Sequence, residues 1–371
     1  MNISENKYAI ILLAWFITFP EILIRLVYSI TIIPITNYLH INYFISSIIL
    51  SSFYLGYAFA NLPFGYLVDK FGYRIVAICL IFLGILMLLF SYSTNFLEAI
   101  ILMLLMGIVS APTYIGAIKL VSEGNNSFRG TSIGFLNTVG PLALLLSNFI
   151  VPSFLEKFDW QLVYVYSSFL TFLIALPVFF IRRVSFKSKK GAINRKSIIA
   201  SFVRFFGFWA MWGVSSYLFL LVHEHFNLDL IQAGIISGIF SIGAVISIPI
   251  SGYISDIMKK RREISGIFLF LFFLLLVIYP FLPLSLIYIF TFILGFIAFG
   301  YRTPLDTYIS EITKGKEATS MGLANMISQP SSIIVPIVIG YIITFTGNIA
   351  FAFISLSIGP LIAMILIQKL D

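Results

Sequence analysis

Cysteine, charge and catalytic motifs are all scarce in this chain of 371 residues, and each scarcity excludes something. The one cysteine, Cys79, rules out an intrachain disulfide and a cysteine-cluster metal site. Asp, Glu, Lys and Arg together make up 10% of the residues, against about 25% in an ordinary soluble domain. Hydrophobic residues make up 60%, and the mean hydropathy is +1.04. A water-soluble fold could not hide so much apolar side chain, so the expected solvent is a bilayer. The phosphate-cradling G-x-x-x-x-G-K-[ST] loop is missing, so ATP-driven transport is not encoded in this chain. No Ser/His/Asp or metal-ligand constellation suits catalysis, so neither an enzyme nor a cofactor is expected. The stretch "VHEHFN" brings His223, Glu224 and His225 together, but two histidines two apart on a helix point apart, and they read as surface. A net charge of +8 would suggest nucleic acid in a soluble protein. Here the placement of the charges points elsewhere, and no nucleic-acid partner is expected.

What the chain has instead is long apolar runs. Stretches able to cross about 30 Å of hydrocarbon as helix fall near 9–38, 44–67, 74–93, 97–120, 129–153, 161–183, 198–223, 230–255, 264–283, 284–310, 318–344 and 348–369. These runs are about twice as long as barrel strands and do not alternate, which excludes a β-barrel. The prolines of "YPFLPLSL" make a tight turn between the ninth and tenth. The start "MNISENKYAI" leads straight into an apolar run with no cleavage-site pattern, so a retained first helix is expected rather than a signal peptide.

Lys and Arg orient the spans. With a cytoplasmic N-terminus, Lys7, Lys70, Arg74, Lys119, Arg129, Lys259, Lys260, Arg261, Arg262, Lys314, Lys316 and Lys369 all fall on the inner face, and only Lys157 falls outside. Seven more basic residues and no acid lie in "RRVSFKSKKGAINRK", 182–196. That loop reads as a topogenic, lipid-facing linker. The expected organisation is a six-helix bundle at 1–183, a basic cytoplasmic linker at 184–197 and a second bundle at 198–371. A plasma-membrane protein with both termini cytoplasmic follows from this reading, and a monomer is expected.

The halves repeat. Gly56, Gly65 and Asp69 map onto Gly243, Gly252 and Asp256 at an offset of 187. At an offset of 188, Gly107 maps onto Gly295, Glu123 onto Glu311, Thr131 onto Thr319, Gly134 onto Gly322 and Asn137 onto Asn325. Parallel duplicated halves suit alternating access to a midplane site. The stretch "GYLVDKFGYR" at 65–74 fits G-x-x-x-D-[RK]-x-G-x-R, and the chain thereby resembles the major facilitator superfamily; the motif says little of the substrate, and it is the arginines described below that resemble the prokaryotic organic-anion and metabolite transporters. The second copy, Gly252, Asp256 and Arg261, is degenerate, with Ile257 and Lys259 in place of the basic residue and the second glycine. The resemblance implies an all-α membrane protein of twelve transmembrane helices in two six-helix bundles. It also implies a cytoplasmic gating latch of Asp69 with Lys70 and Arg74, in a motif framed by Gly65 and Gly72, with Asp256 in the second copy. Asp69 would face the N-terminus of the eleventh helix, where the macrodipole favours an anion. As purely topogenic charges these residues would have no such role.

A charge at the bilayer centre costs about 2.5–3.5 kcal/mol on insertion scales, so five residues need a reason. Glu21 and Arg25 lie in the first helix, Arg204 in the seventh, Arg302 and Asp306 in the tenth. Glu21 with Arg25, and Arg302 with Asp306, are spaced i, i+4 and can each share a helix face. They are either self-neutralised structural pairs or a cationic substrate cradle with acidic coupling groups. Arg204 is close enough to the inner end to snorkel to the surface. In the superfamily the first, fourth, seventh and tenth helices line the cavity, and anion-binding members often use an arginine of the first helix with another in the second half. Arg25 with Arg302 or Arg204 resembles that pattern. Tyr114 of the fourth helix maps onto Arg302 under the repeat. Trp209 and Trp212 are three apart in the seventh helix and can share a face. Asn137 and Asn325 offer hydrogen bonds to substrate or between helices.

The expected function is secondary active transport of a small organic anion, a carboxylate or phosphorylated metabolite, by alternating access and coupled to protons. Arg25, Arg302, Tyr114, Arg204, Trp212, Asn137 and Asn325 are the expected substrate contacts, and Glu21 and Asp306 the proton-coupling groups. The alternative is proton-driven efflux of amphipathic or cationic compounds. In "TVGPLALLLSN" Gly140–Pro141 matches the antiporter motif G-x-x-x-G-P-x-x-G-G, but Leu144 and Leu145 replace its last glycines. A non-transporting membrane receptor is a remote third reading.

Overall fold

The structure, a computed structural model, describes residues 7–124, 135–181, 195–312 and 317–370. The described part is helical, and twelve helices are long and apolar enough to cross a membrane. The chain forms two compact units, Met1–Lys187 and Ser188–Asp371. The basic residues of 182–194, together with Arg129, Thr131, Gly134, Lys314 and Lys316, lie outside the described residues. So do the side chains of Lys7, Asp69, Glu123 and Thr319.

The first unit runs α1 (Lys7–Tyr38), α2 (Tyr43–Phe71), α3 (Tyr73–Phe90), α4 (Phe96–Gly124), α5 (Val139–Leu155) and α6 (Trp160–Val178). The second runs α7 (Arg195–His225), α8 (Leu230–Met258), α9 (Arg261–Ile278), α10a (Leu284–Gly300), α10b (Arg302–Ile312), α11a (Glu317–Ser328), α11b (Pro330–Thr346), α12a (Ile349–Ser355) and α12b (Ile358–Ile367). A short 3-10 turn, Tyr279–Phe281, lies in the proline-rich stretch between α9 and α10a.

The repeat seen in residue identities reappears in the helix limits. The first four helices of the two units begin 188, 187, 188 and 188 residues apart. The caps agree as well. The Asn42 side chain accepts from the Ile45 amide at the start of α2, and that of Asp229 accepts from the Gln232 amide at the start of α8. Each such cap is worth about 1 kcal/mol.

In lipid the hydrophobic effect does not drive helix against helix, so close contact depends on small residues. Gly56 of α2 lies on the Leu104 carbonyl of α4, and Gly107 of α4 lies on the Phe53 carbonyl of α2. In the second unit Gly243 meets the Phe292 carbonyl and Gly295 the Phe240 carbonyl. None of the four leaves room for a Cβ. The mates therefore hold the same backbone-to-backbone contact, α2 on α4 and α8 on α10a. In each unit the remaining packing is also parallel, with α3 on α6 and α1 on α5 and α6, then α9 on α12b and α7 on α11 and α12.

Four breaks in the helices lie beside prolines. A proline has no N–H for the carbonyl four residues back. Turns at Thr138, Tyr301, Gln329 and Leu356 are each followed within four residues by Pro141, Pro304, Pro330 or Pro360. At the Tyr301 break the Ser265 hydroxyl of α9 donates to the Tyr301 carbonyl at 3.2 Å. Three of these breaks adjoin side chains of the candidate site.

Candidate functional site

In the first unit α1 carries a buried ion pair. Arg25 Nη2 is 3.0 Å from Glu21 Oε1, with side chains 8% and 2% exposed. Pro20 precedes the acid inside the helix. The guanidinium carbon lies 5.8 Å from the ring centre of Tyr54 on α2. Tyr57, one turn further along α2, is within electrostatic reach of both charges and of Tyr114. Tyr114 of α4 donates to Asn137 Oδ1 at 3.1 Å, which ties α4 to the break before α5. The expected i, i+4 pairing is thus present, and Tyr114 and Asn137 meet each other. Tyr54 and Tyr57 escaped sequence reasoning, because nothing in their spacing marks them among the nineteen tyrosines.

In the second unit three charges share one site. Arg204 Nε is 3.0 Å from Asp306 Oδ1, and Arg302 Nε is 3.5 Å from Asp306 Oδ2. Arg204 also donates through Nη1 to Asn325 Oδ1 and, at 3.2 Å, to Ser328 Oγ. Both guanidinium groups stand over the Phe208 ring, at 4.6 Å for Arg204 and 5.4 Å for Arg302. Trp212 meets the same ring edge-on at 6.2 Å. Tyr301 is fully buried, with its ring against Gly207. Its hydroxyl has no hydrogen-bond partner among the described residues.

This geometry corrects three expectations. Arg204 does not snorkel: its side chain is 3% exposed and tied to α10b and α11a. Arg302 and Asp306 are not a self-contained pair, because the shorter contact of the acid is to Arg204. Trp209 and Trp212 do not furnish one surface: Trp209 packs against Gly359 of α12b, whereas Trp212 packs on Phe208. Sequence reasoning missed Phe208 and Ser328. Helical spacing could have found both, since Phe208 is four residues from Arg204 and Ser328 three from Asn325.

The motif region also repeats. Gly72 ends α2 at φ 70°, ψ −155°, and its mate Lys259 ends α8 at φ 53°, ψ 24°. The first conformation is open to glycine alone, whereas the second is the left-handed region that other residues reach at a cost. The degenerate second copy therefore needs no glycine. Lys70 and Arg74 are exposed. Gly65 has ordinary room, with Ile115 as the nearest neighbour at 3.9 Å. In the second copy Arg261 binds Asp256 at 2.7 Å, Glu311 at 2.8 Å and Ser255 Oγ at 2.8 Å. The Asp256 carboxylate is thus clamped within its own unit, on an arginine that also holds α10b.

No group of three metal-binding side chains converges among the described residues. His223 Nδ1 and His225 Nε2 lie 2.7 Å from the Leu228 and Pro280 carbonyls.

Residues 14–336 match the family model described as Major Facilitator Superfamily. The "Probable galactarate/D-glucarate transporter" of Bacillus subtilis (strain 168) is 23% identical over 90% of this chain and 86% of its own length. The "Probable L-galactonate transporter" of Escherichia coli (strain K12) is 22% identical over 57% of this chain and 53% of its own length. A solved bacterial homologue of the human lysosomal transporter Spinster superposes with a TM-score of 0.78 at 13% identity, covering 98% of this chain and 96% of that one. The family match, the two units of related helices and the buried charges in apolar spans lead to one conclusion: the chain belongs to the major facilitator superfamily and is a membrane transporter of twelve transmembrane helices.

Proposed function

We propose that the protein is a secondary active transporter of small organic anions, of the sugar-acid class for which its two relatives are named, working by alternating access with proton coupling. The observation that carries this reading is the guanidinium–carboxylate centre in the membrane-spanning part of each unit, Arg25 with Glu21 and Arg204 and Arg302 with Asp306. Arginine's planar fork suits a carboxylate, and in apolar surroundings such a bond is strong. Tyr114, Asn137, Asn325 and Trp212 add donors and an apolar wall. An efflux pump for cations would have to bring a positive charge to a site already rich in arginine.

Coupling follows from charge balance. Glu21 is buried with one counter-ion. An anion arriving at Arg25 takes that counter-ion, and an unpaired buried carboxylate is costly. Taking up a proton removes the cost, so substrate and proton strengthen each other's binding by linkage. Asp69, with Lys70 and Arg74, serves as the inner gate. Asp69→Asn then impairs transport while substrate still binds, and it raises the labelling of cysteines placed at the inner face; unchanged labelling removes Asp69 from the gate. The protein works as a monomer in the plasma membrane with both termini inside.

The deciding experiment is uptake into proteoliposomes. Labelled D-glucarate, galactarate and L-galactonate are each compared with an amphipathic cation, with and without an inward proton gradient. Sugar-acid accumulation that collapses with the gradient is expected. Transport of the cation alone would overturn the reading.

A further inference from the structure

The second unit holds two guanidinium groups and one carboxylate around Phe208, a surplus of one positive charge among the described residues. The two arginines are used differently. Arg204 is 3% exposed: its Nη1 donates to Asn325 and Ser328 on α11a, its Nε lies 3.0 Å from Asp306 of α10b as an ion pair, and Phe208 of its own helix covers its face. It ties three helices at the points where α10 and α11 break. Arg302 is 21% exposed and touches Asp306 at 3.5 Å. That is an ion pair outside the range of about 2.7–3.2 Å for an N–H···O bond. The Arg302 contact is the longer of the two ion pairs to Asp306, and its side chain is the more exposed.

We propose that Arg302 alone takes the carboxylate of the substrate in this unit, and that Arg204 is a positioning residue that holds Asp306 and never leaves it. The proposal rests on the reading of the protein as an organic-anion transporter and divides the roles within that site. The balance of charge is simple. Arg204 and Asp306 form one neutral pair before and after binding, and Arg302 with the incoming carboxylate forms a second. No proton is needed in this half, so Asp306 stays ionised through the cycle. The centre in α1 is the opposite case, since Arg25 and Glu21 are already matched one to one. The surplus charge also sets the class of ligand: a neutral sugar alcohol of the same length supplies nothing to Arg302 and does not compete.

Two measurements on the full-length protein in detergent test this. In the first, an arginine-selective dicarbonyl reagent is applied and the modified peptides are read by mass spectrometry, with and without D-glucarate. Arg302 is expected to react and to be protected by the anion, and Arg204 to be spared in both conditions. Modification of Arg204 in preference to Arg302 overturns the division whatever the substrate. In the second, D-glucarate binding and thermal stability are compared for Arg302→Gln, Arg204→Gln and Arg204→Lys. Arg302→Gln is expected to weaken binding about tenfold or more, as for loss of a charge-assisted bond, with the unfolding temperature unchanged. Arg204→Gln is expected to lower the unfolding temperature, and Arg204→Lys to restore both stability and affinity, which a substrate-binding fork would not allow. If wild-type protein binds D-glucarate and Arg302→Gln binds it equally well, this proposal falls and the transport reading stands. If wild-type protein binds no sugar acid, both fall.

Discussion

Burial decides what a charged residue can do in this protein. Glu21 and Arg25 neutralise each other at 3.0 Å inside a nearly all-apolar helix. Removing one partner of such a pair costs about 3–5 kcal/mol, because the other is left charged and dry. Glu21→Gln avoids part of that cost, since the amide keeps the shape and one acceptor. The variant is therefore expected to fold and to reach the membrane. The proposed coupling of proton to substrate predicts that in wild type the substrate affinity rises as pH falls. In Glu21→Gln the affinity should be flat with pH. Exchange of internal for external substrate should survive, while proton-driven accumulation is lost. Affinities at several pH values, side by side for the two proteins, decide it. Equal pH slopes would remove Glu21 from the coupling.

Among the elements, the paired ends of α2 and α8 offer a controlled comparison. Both helices end on a residue of positive φ whose amide donates four residues back, Gly72 to Val68 and Lys259 to Ser255. The two backbones differ in ψ, and that difference predicts opposite responses. Gly72→Ala forces a Cβ into a region closed to side chains, at a cost of about 1–3 kcal/mol. Lys259→Gly relieves a left-handed lysine and should gain up to about 1 kcal/mol. Thermal unfolding in detergent should show a fall of about 2–4 °C or more for the first and none for the second. A fall in both would mean that Lys259 contributes through its side chain rather than through its backbone. The proline-marked breaks carry a parallel lesson. Arg302 follows the break at Tyr301, and Asn325 and Ser328 precede the one at Gln329. A broken helix in the membrane leaves backbone groups that neighbours must satisfy, and polar side chains collect there.

For the whole molecule, two units each with their own glycine contacts and charge centre predict that the covalent link between them is dispensable. Fragments 1–187 and 188–371, co-expressed, should co-purify and restore sugar-acid uptake in proteoliposomes. Neither fragment alone should transport. Uptake by one half alone would contradict alternating access between duplicated halves. The twelve spans, the duplication and the identity of the five charged residues within them were legible in the sequence. The reason is that length, composition and offset are local properties, and the bilayer turns composition directly into a helix count. The pair Glu21–Arg25 was legible for the same reason, since i, i+4 spacing places both on one face. The partnership of Asp306 with Arg204 was not. Helical spacing names only the neighbour on the same helix, and Arg302 was that neighbour. Which guanidinium the carboxylate meets at 3.0 Å depends on how α10b and α7 are rotated against each other. That rotation follows from Tyr301 packed on Gly207, from the break before Pro304 and from Asn325 and Ser328 on α11a, all of them contacts between distant segments. The sequence by itself determined which charges enter the membrane, because the bilayer admits so few. Only the tertiary structure decided which of them is matched and which is left over, because pairing is a property of facing surfaces and not of the chain.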